Sequence, residues 1–97
     1  MKPCESLDEV RAGIDRIDSE LVQLLAERGE LVRQAAHFKR SADEVRAPKR
    51  VEAVIQKVTG LATELGACPV VIERVYRAMI AAFIDAELNE HENTEKS

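Results

Sequence analysis

Ser6-Leu7-Asp8-Glu9-Val10-Arg11-Ala12-Gly13-Ile14-Asp15-Arg16-Ile17-Asp18-Ser19-Glu20-Leu21-Val22-Gln23-Leu24 opens the stretch whose reading decides the fold. Apolar side chains recur at Leu7, Val10, Ile14, Ile17, Leu21 and Leu24, then at Leu31, Ala35 and Phe38. The steps alternate between three and four residues, which places them on one face of an α-helix as a heptad seam. Ser6 and Glu9 form a capping box at its start: the hydroxyl accepts from the Glu9 amide while the Glu9 carboxylate reaches back. No proline interrupts the pattern, and Gly13 and Gly29 weaken it by only about 1 kcal/mol each relative to alanine. The spacing predicts a helix over residues 7–40, roughly 50 Å long at ~1.5 Å per residue.

Working outward, residues 41–47 read as a loop or frayed turn. Pro48 suits the first position of a second helix, whose apolar stripe is Val51, Val54, Ile55, Val58, Leu61, Ala62 and Leu65 and whose stop is Gly66. Pro69 opens a third, with Ile72, Val75, Tyr76, Met79, Ile80, Phe83, Ile84 and Leu88 in line. The one β-branched cluster, Val70-Val71-Ile72, follows Pro69 directly. The polar tail from Asn89 to Ser97 reads as mobile. The whole is one all-α domain over residues 1–97, with an ordered core at about 6–90 and a polar tail at 91–97.

A seam of ~50 Å is too long to be covered by two shorter helices folded back on it. Part of it must bury against another chain, so the expectation is an all-α homodimer in which the long helices pack together. A plain dimeric coiled coil is the simpler alternative. Composition narrows the partners. The 97 residues carry 14 basic and 18 acidic side chains, a net charge of −4, which gives no basic footprint for duplex DNA. The three aromatics, Phe38, Tyr76 and Phe83, make no stacking surface for single-stranded nucleic acid. No apolar run approaches a membrane span, and Met1 to Asp8 lacks the apolar core of an export signal. Cys4 and Cys68 form neither a metal pair nor a disulfide framework, and the expected compartment is the cytoplasm.

The chemistry lies in charges placed where apolar residues belong. The seam positions 24, 28 and 31 put Arg28 in line with the core. A guanidinium there is a buried ion pair, a snorkelling side chain, or the wall of a wet, anion-binding cavity. On a continuous helix Lys39 lies almost three full turns beyond Arg28 on the same face, ~16 Å along the axis, a gap suited to a small dianion. Arg11 lies ~25 Å from Arg28 and off its face, so it is an exposed arginine or it joins a pocket from the opposite chain of an antiparallel dimer. Glu87 ends the apolar stripe of the third helix. It is a helix-end glutamate facing water, or a partly desolvated carboxyl whose protonated form donates a hydrogen bond. His37 and His91 have no metal-ligand company, and no glycine-rich phosphate loop is present. No metal or cofactor is expected.

Val10-Arg11-x-x-Ile14-Asp15-x-Ile17-Asp18-x-x-Leu21-x-x-Leu24-Leu25-x-x-Arg28, followed by Lys39, resembles the all-helical chorismate mutases over about residues 6–90. The resemblance implies the type II fold of that family: an intertwined homodimer of three-helix subunits with two equivalent pockets for a small dicarboxylate. It implies that Arg28 binds one substrate carboxylate and Arg11 of the opposite chain the other. Lys39 would bridge a carboxylate and the enolpyruvyl ether oxygen, and Glu87 would donate to that oxygen. Arg50 matches an arginine near the start of the second helix, Arg46 a loop arginine bordering the pocket, and Val51 and Phe83 complete the substrate-binding set.

Two positions depart from the mutases, which commonly carry an acid just before the second helix and a glutamate one place after its arginine. This chain has Ala47 and Val51 there. Ala47-Pro48-Lys49-Arg50-Val51 is similar to the isochorismate pyruvate lyase branch, which makes salicylate for siderophores and keeps a side activity on chorismate. That branch carries glutamine where this chain has Glu87. The expected activity is therefore an isochorismate pyruvate lyase, with a chorismate mutase as the first alternative and a non-catalytic helical dimerisation or regulatory module as the second.

Overall fold

The computed structural model describes residues 2–96, with side chains to Glu90. Four helices follow one another: α1, Leu7–Ala36; α2, Ala42–Arg46; α3, Pro48–Leu65; and α4, Pro69–Lys96. No strand occurs among the described residues. The chain is all-α with three long helices, as expected, and α2 is a short helix set between the first two. No helix among the described residues is long and apolar enough to cross a membrane. Contacts gather the chain into two compact units, Met1–Val32 and Arg33–Ser97.

The first unit is most of α1. Its start is capped as the sequence demands: the Glu9 amide donates to Ser6 Oγ at 3.1 Å, and the Glu9 carboxylate accepts from the Glu5 amide at 2.8 Å. Arg16 and Glu20 pair along the surface at 3.2 Å, an i,i+4 contact of a few tenths of a kcal/mol. No side chain of α1 is buried within the chain. The seam residues Ile17, Leu21 and Leu24 are 41%, 49% and 59% exposed. Apolar side chains of that size in one row lose the favourable transfer from water that would justify their spacing.

The second unit holds the core. Val45 from α2, Ile55, Val58 and Ala62 from α3, and Ile80 from α4 are its buried apolar residues. α4 packs against both α2 and α3. α3 runs between the stops its sequence announces. Pro48 occupies the first turn, where a missing N–H costs nothing. Gly66 ends the helix at φ 76°, a left-handed conformation that a side chain disfavours. Its amide donates to Ala62 and Thr63, and the Ala67 amide reaches Ala62 O at 2.8 Å, the bonding pattern of a Schellman cap.

Three expectations need correction. α1 ends at Ala36 rather than near residue 40. The amides of His37, Phe38 and Lys39 bond three residues back, to Gln34, Ala35 and Ala36, which tightens the last turn and closes the helix. Residues 41–47 are not a loop, because Ser41 caps α2 by accepting from the Glu44 amide while the Glu44 carboxylate takes the Arg40 amide. This is the same capping device as at Ser6, and it diverts the Arg40 N–H away from α1. Finally, α4 continues to Lys96 through the polar segment expected to be a tail.

Candidate active site

Lys39 and Glu87 meet. Lys39 leaves the tightened end of α1, and its Nζ stands 3.4 Å from Glu87 Oε2 on α4. The Glu87 side chain is 6% exposed and that of Lys39 25%. Glu87 is the buried charged residue among those described. It follows Phe83 by one turn on the same face, and Phe83, Ile84 and Leu88 around it are half-buried. A carboxylate in apolar company must be paired, and the ammonium opposite supplies the partner. Val45, buried on α2, closes the stretch of chain that carries Lys39 against α4. Alongside, Arg33 in the last turn of α1 reaches Glu90 at 3.4 Å in solvent.

The other residues singled out in the sequence fall as follows. Arg46 at the end of α2 is exposed, 4.0 Å from Asp43. Arg50 in the first turn of α3 is exposed and has no ion-pair partner among the described residues, while Val51 beside it is half-buried. Arg11 and Arg28 belong to the first unit, Arg11 exposed and Arg28 half-buried. Lys39 does not share a helix with Arg28, because α1 stops before it. Its position rests instead on the α1–α2 turn and on the carboxylate of α4.

Sequence reasoning missed the partner of Arg77. Its guanidinium takes Glu52 of α3 in a two-pronged contact, Nη1 to Oε1 at 3.1 Å and Nη2 to Oε2 at 3.0 Å, and Glu73 of α4 accepts from Nε at 3.0 Å. The hydrogen bond from Arg77, with its charge, holds Glu52 below the ordinary carboxylate range. The two carboxylates raise Arg77 above its already high value. Glu73 and Arg77 at i,i+4 were a legible signal; the link to Glu52 was not.

Residues 10–88 match the family described as chorismate mutase type II. The chain is also 33% identical over 85 residues to an isochorismate pyruvate lyase of Pseudomonas aeruginosa, covering 88% of this chain and 84% of that one. The chain belongs to the chorismate mutase type II family. A second relative, a bifunctional chorismate mutase/prephenate dehydratase of Aquifex aeolicus, is 33% identical over 87 residues. These are 86% of this chain and 24% of that longer protein.

Within a chorismate mutase-type chain, the paired Lys39 and Glu87 have a chemical reading. An ammonium and a carboxyl held in a partly dry setting act more strongly on a guest than they would in water. Arg50, exposed and without an ion-pair partner, presents a forked donor set suited to a carboxylate.

Proposed function

We propose that this chain is an isochorismate pyruvate lyase, splitting isochorismate into salicylate and pyruvate, with a side activity as a chorismate mutase. The observation that supports pericyclic chemistry, shared by both activities, is the Lys39–Glu87 pair, two charged groups facing each other at 3.4 Å with the carboxylate buried. Ala47 and Val51, in place of the acids that mutases commonly carry, favour the lyase over the mutase. The likeness to the Pseudomonas aeruginosa lyase along most of both chains supports the same choice.

Salicylate and pyruvate together contain every atom of isochorismate. The reaction therefore needs only that the ether C–O bond break while one ring hydrogen passes to the enolpyruvyl methylene. No covalent intermediate is required. The protein's part is to hold a compact conformer and to meet negative charge as it grows on the ether oxygen. Lys39 takes the second role as an ammonium donor, and Glu87 can join it only through a protonated carboxyl, since a carboxylate would repel that charge. Arg28 and the opposite chain's Arg11 take the first by binding the two carboxylates, Arg50 helps set a carboxylate or its supporting shell, Arg46 borders the pocket, and Val51 and Phe83 shape the apolar wall. The proposal includes a homodimer, since Arg11 acts across the interface, and it is supported by a long helix that buries no side chain of its own.

The second reading is a chorismate mutase making prephenate. Glu87 favours it, because the lyase branch usually has glutamine there, and so does the likeness to the Aquifex aeolicus protein. Purified protein incubated separately with chorismate and isochorismate decides between them. Salicylate with pyruvate is the expected product from isochorismate. Prephenate from chorismate with no salicylate selects the mutase, and no turnover of either leaves a non-catalytic dimerisation module.

A further inference from the structure

We infer that Arg77 and Glu52 form a clamp that sets the direction of Arg50 and Val51, making both members positioning residues for the substrate. The catalytic half of this inference rests on the function proposed above. The start of α3 is the less anchored end of that helix. Ala47 offers no side-chain cap, and Pro48 has no N–H to give. Buried residues of α3 begin only at Ile55. Ahead of it, Val51 and Val54 are half-buried, and the side chain that binds α4 by hydrogen bonds is Glu52.

The geometry of that bond fixes orientation as well as distance. Both prongs of the guanidinium engage both oxygens of Glu52, and the remaining nitrogen is held by Glu73 from the same helix as Arg77. Glu73 thus sets the plane of the fork before Glu52 docks on it. A two-pronged contact between planar groups resists rotation, which a single contact does not. Three charges in one network also lift the pair out of the class of isolated surface ion pairs.

Successive residues of a helix are ~100° apart around its axis. Val51 therefore lies between Glu52 on one flank and Arg50 on the other. Val51 is also one turn before Ile55, the first buried residue of α3. Pinning Glu52 to Arg77 stops the first turns of α3 from rolling, and this fixes both neighbours. Releasing it swings Arg50, the cation with no ion-pair partner in the second unit's first α3 turn, and Val51, the residue that replaces an acid.

The test is kinetic and spectroscopic. Arg77→Met is expected to raise KM roughly 5–10-fold while kcat changes less than about twofold, the split expected of lost positioning without lost chemistry. Adding Arg50→Ala to Arg77→Met should raise KM by less than the product of the two single effects, because part of what Arg77 does is done through Arg50. The charge-swapped double variant, Arg77→Glu with Glu52→Arg, should recover part of the loss, since the fork then stands on α3 without Glu73 to set its plane, and Arg77→Lys should also keep only part, because an ammonium has no fork. An Arg77→Met enzyme with unchanged KM, or KM effects of Arg77→Met and Arg50→Ala that multiply, would overturn the clamp. So would a lower melting temperature as the sole consequence. Methyl NMR of the ligand-free protein separates this from failure of the proposed function. Arg77→Met should move the Val51 methyl signals and leave Ile80 in place even in a chain that turns over nothing, and stationary Val51 signals sink the inference regardless of activity.

Discussion

Lys39 and Glu87 each make sense only with the other. Glu87 sits in an apolar stripe where an unpaired carboxylate is costly, and Lys39 reaches it from a turn rather than from a helix. Lys39→Ala is expected to lower turnover by about 10²–10³, the usual effect of deleting one donor to developing charge. Steady-state kinetics on the preferred substrate checks it, and full turnover in the variant removes Lys39 from the chemistry. Glu87→Ala asks a different question. It leaves the Lys39 ammonium without the buried carboxylate that faces it at 3.4 Å, and turnover is expected to fall. Full turnover in that variant would take Glu87 out of the reaction. Glu52 gives a stability prediction with a definite sign. Its folded-state value lies below the ordinary 4.5, so its contribution is present above that pH and is lost as pH falls through the lower folded value. The melting-temperature gap between wild type and Glu52→Gln should be open at pH 7 and should close in the acid range below 4.5. Arg77 stays charged throughout, since its shift is upward. A gap that persists unchanged into strong acid would show that the Glu52 charge is not what stabilises.

At the scale of elements, the ends of helices divide into those written locally and those decided by competition. Gly66 is local: its left-handed φ of 76° suits glycine, and a Cβ built there meets nothing. Gly66→Ala should therefore cost about 1–2 kcal/mol from backbone conformation alone, with no repacking, and chemical denaturation would measure it. A neutral result would mean that the α3–α4 turn rearranges freely. Pro48 and Gly66 made α3 legible to the residue, because proline and glycine act on their own backbone. The end of α1 was not legible in the same way. The apolar period runs on to Phe38, yet Phe38 is 85% exposed, so its place in the row carried no packing. What ends α1 is the Ser41–Glu44 cap, a Ser-x-x-Glu pattern that went unread because the apolar period ran on almost to its edge. The segment after Asn89 contains no proline or glycine, and α4 simply continues through it. Lys39 and Glu87 were each visible as misplaced charges. Their meeting spans 48 positions, and no local period encodes a contact of that range.

For the whole molecule, the unspent quantity is the apolar face of α1. Leu7, Val10, Ile14, Ile17, Leu21, Leu24 and Leu31 are all exposed within one chain, at the spacing of a helix–helix seam. Rows of this kind mark an interface, and the proposed homodimer supplies one with the same surface on both sides. The proposal also assigns Arg11 to the opposite chain's pocket and Arg28 to its own, which makes a subunit-mixing experiment decisive. Let Arg11→Ala and Arg28→Ala chains each be inactive alone, then be unfolded together in equal amounts and refolded. Random pairing makes about half of the dimers mixed, and in each mixed dimer one pocket receives Arg28 from the first chain and Arg11 from the second. The other pocket of that dimer lacks both arginines. Activity should return to about a quarter of the wild-type value per chain. If Arg11 instead served the pocket of its own chain, every pocket in every mixed dimer would lack one arginine and no activity would return. Light scattering on the refolded sample confirms that dimers have formed. A dimeric but inactive mixture would then reject the crossed assignment while leaving the interface standing.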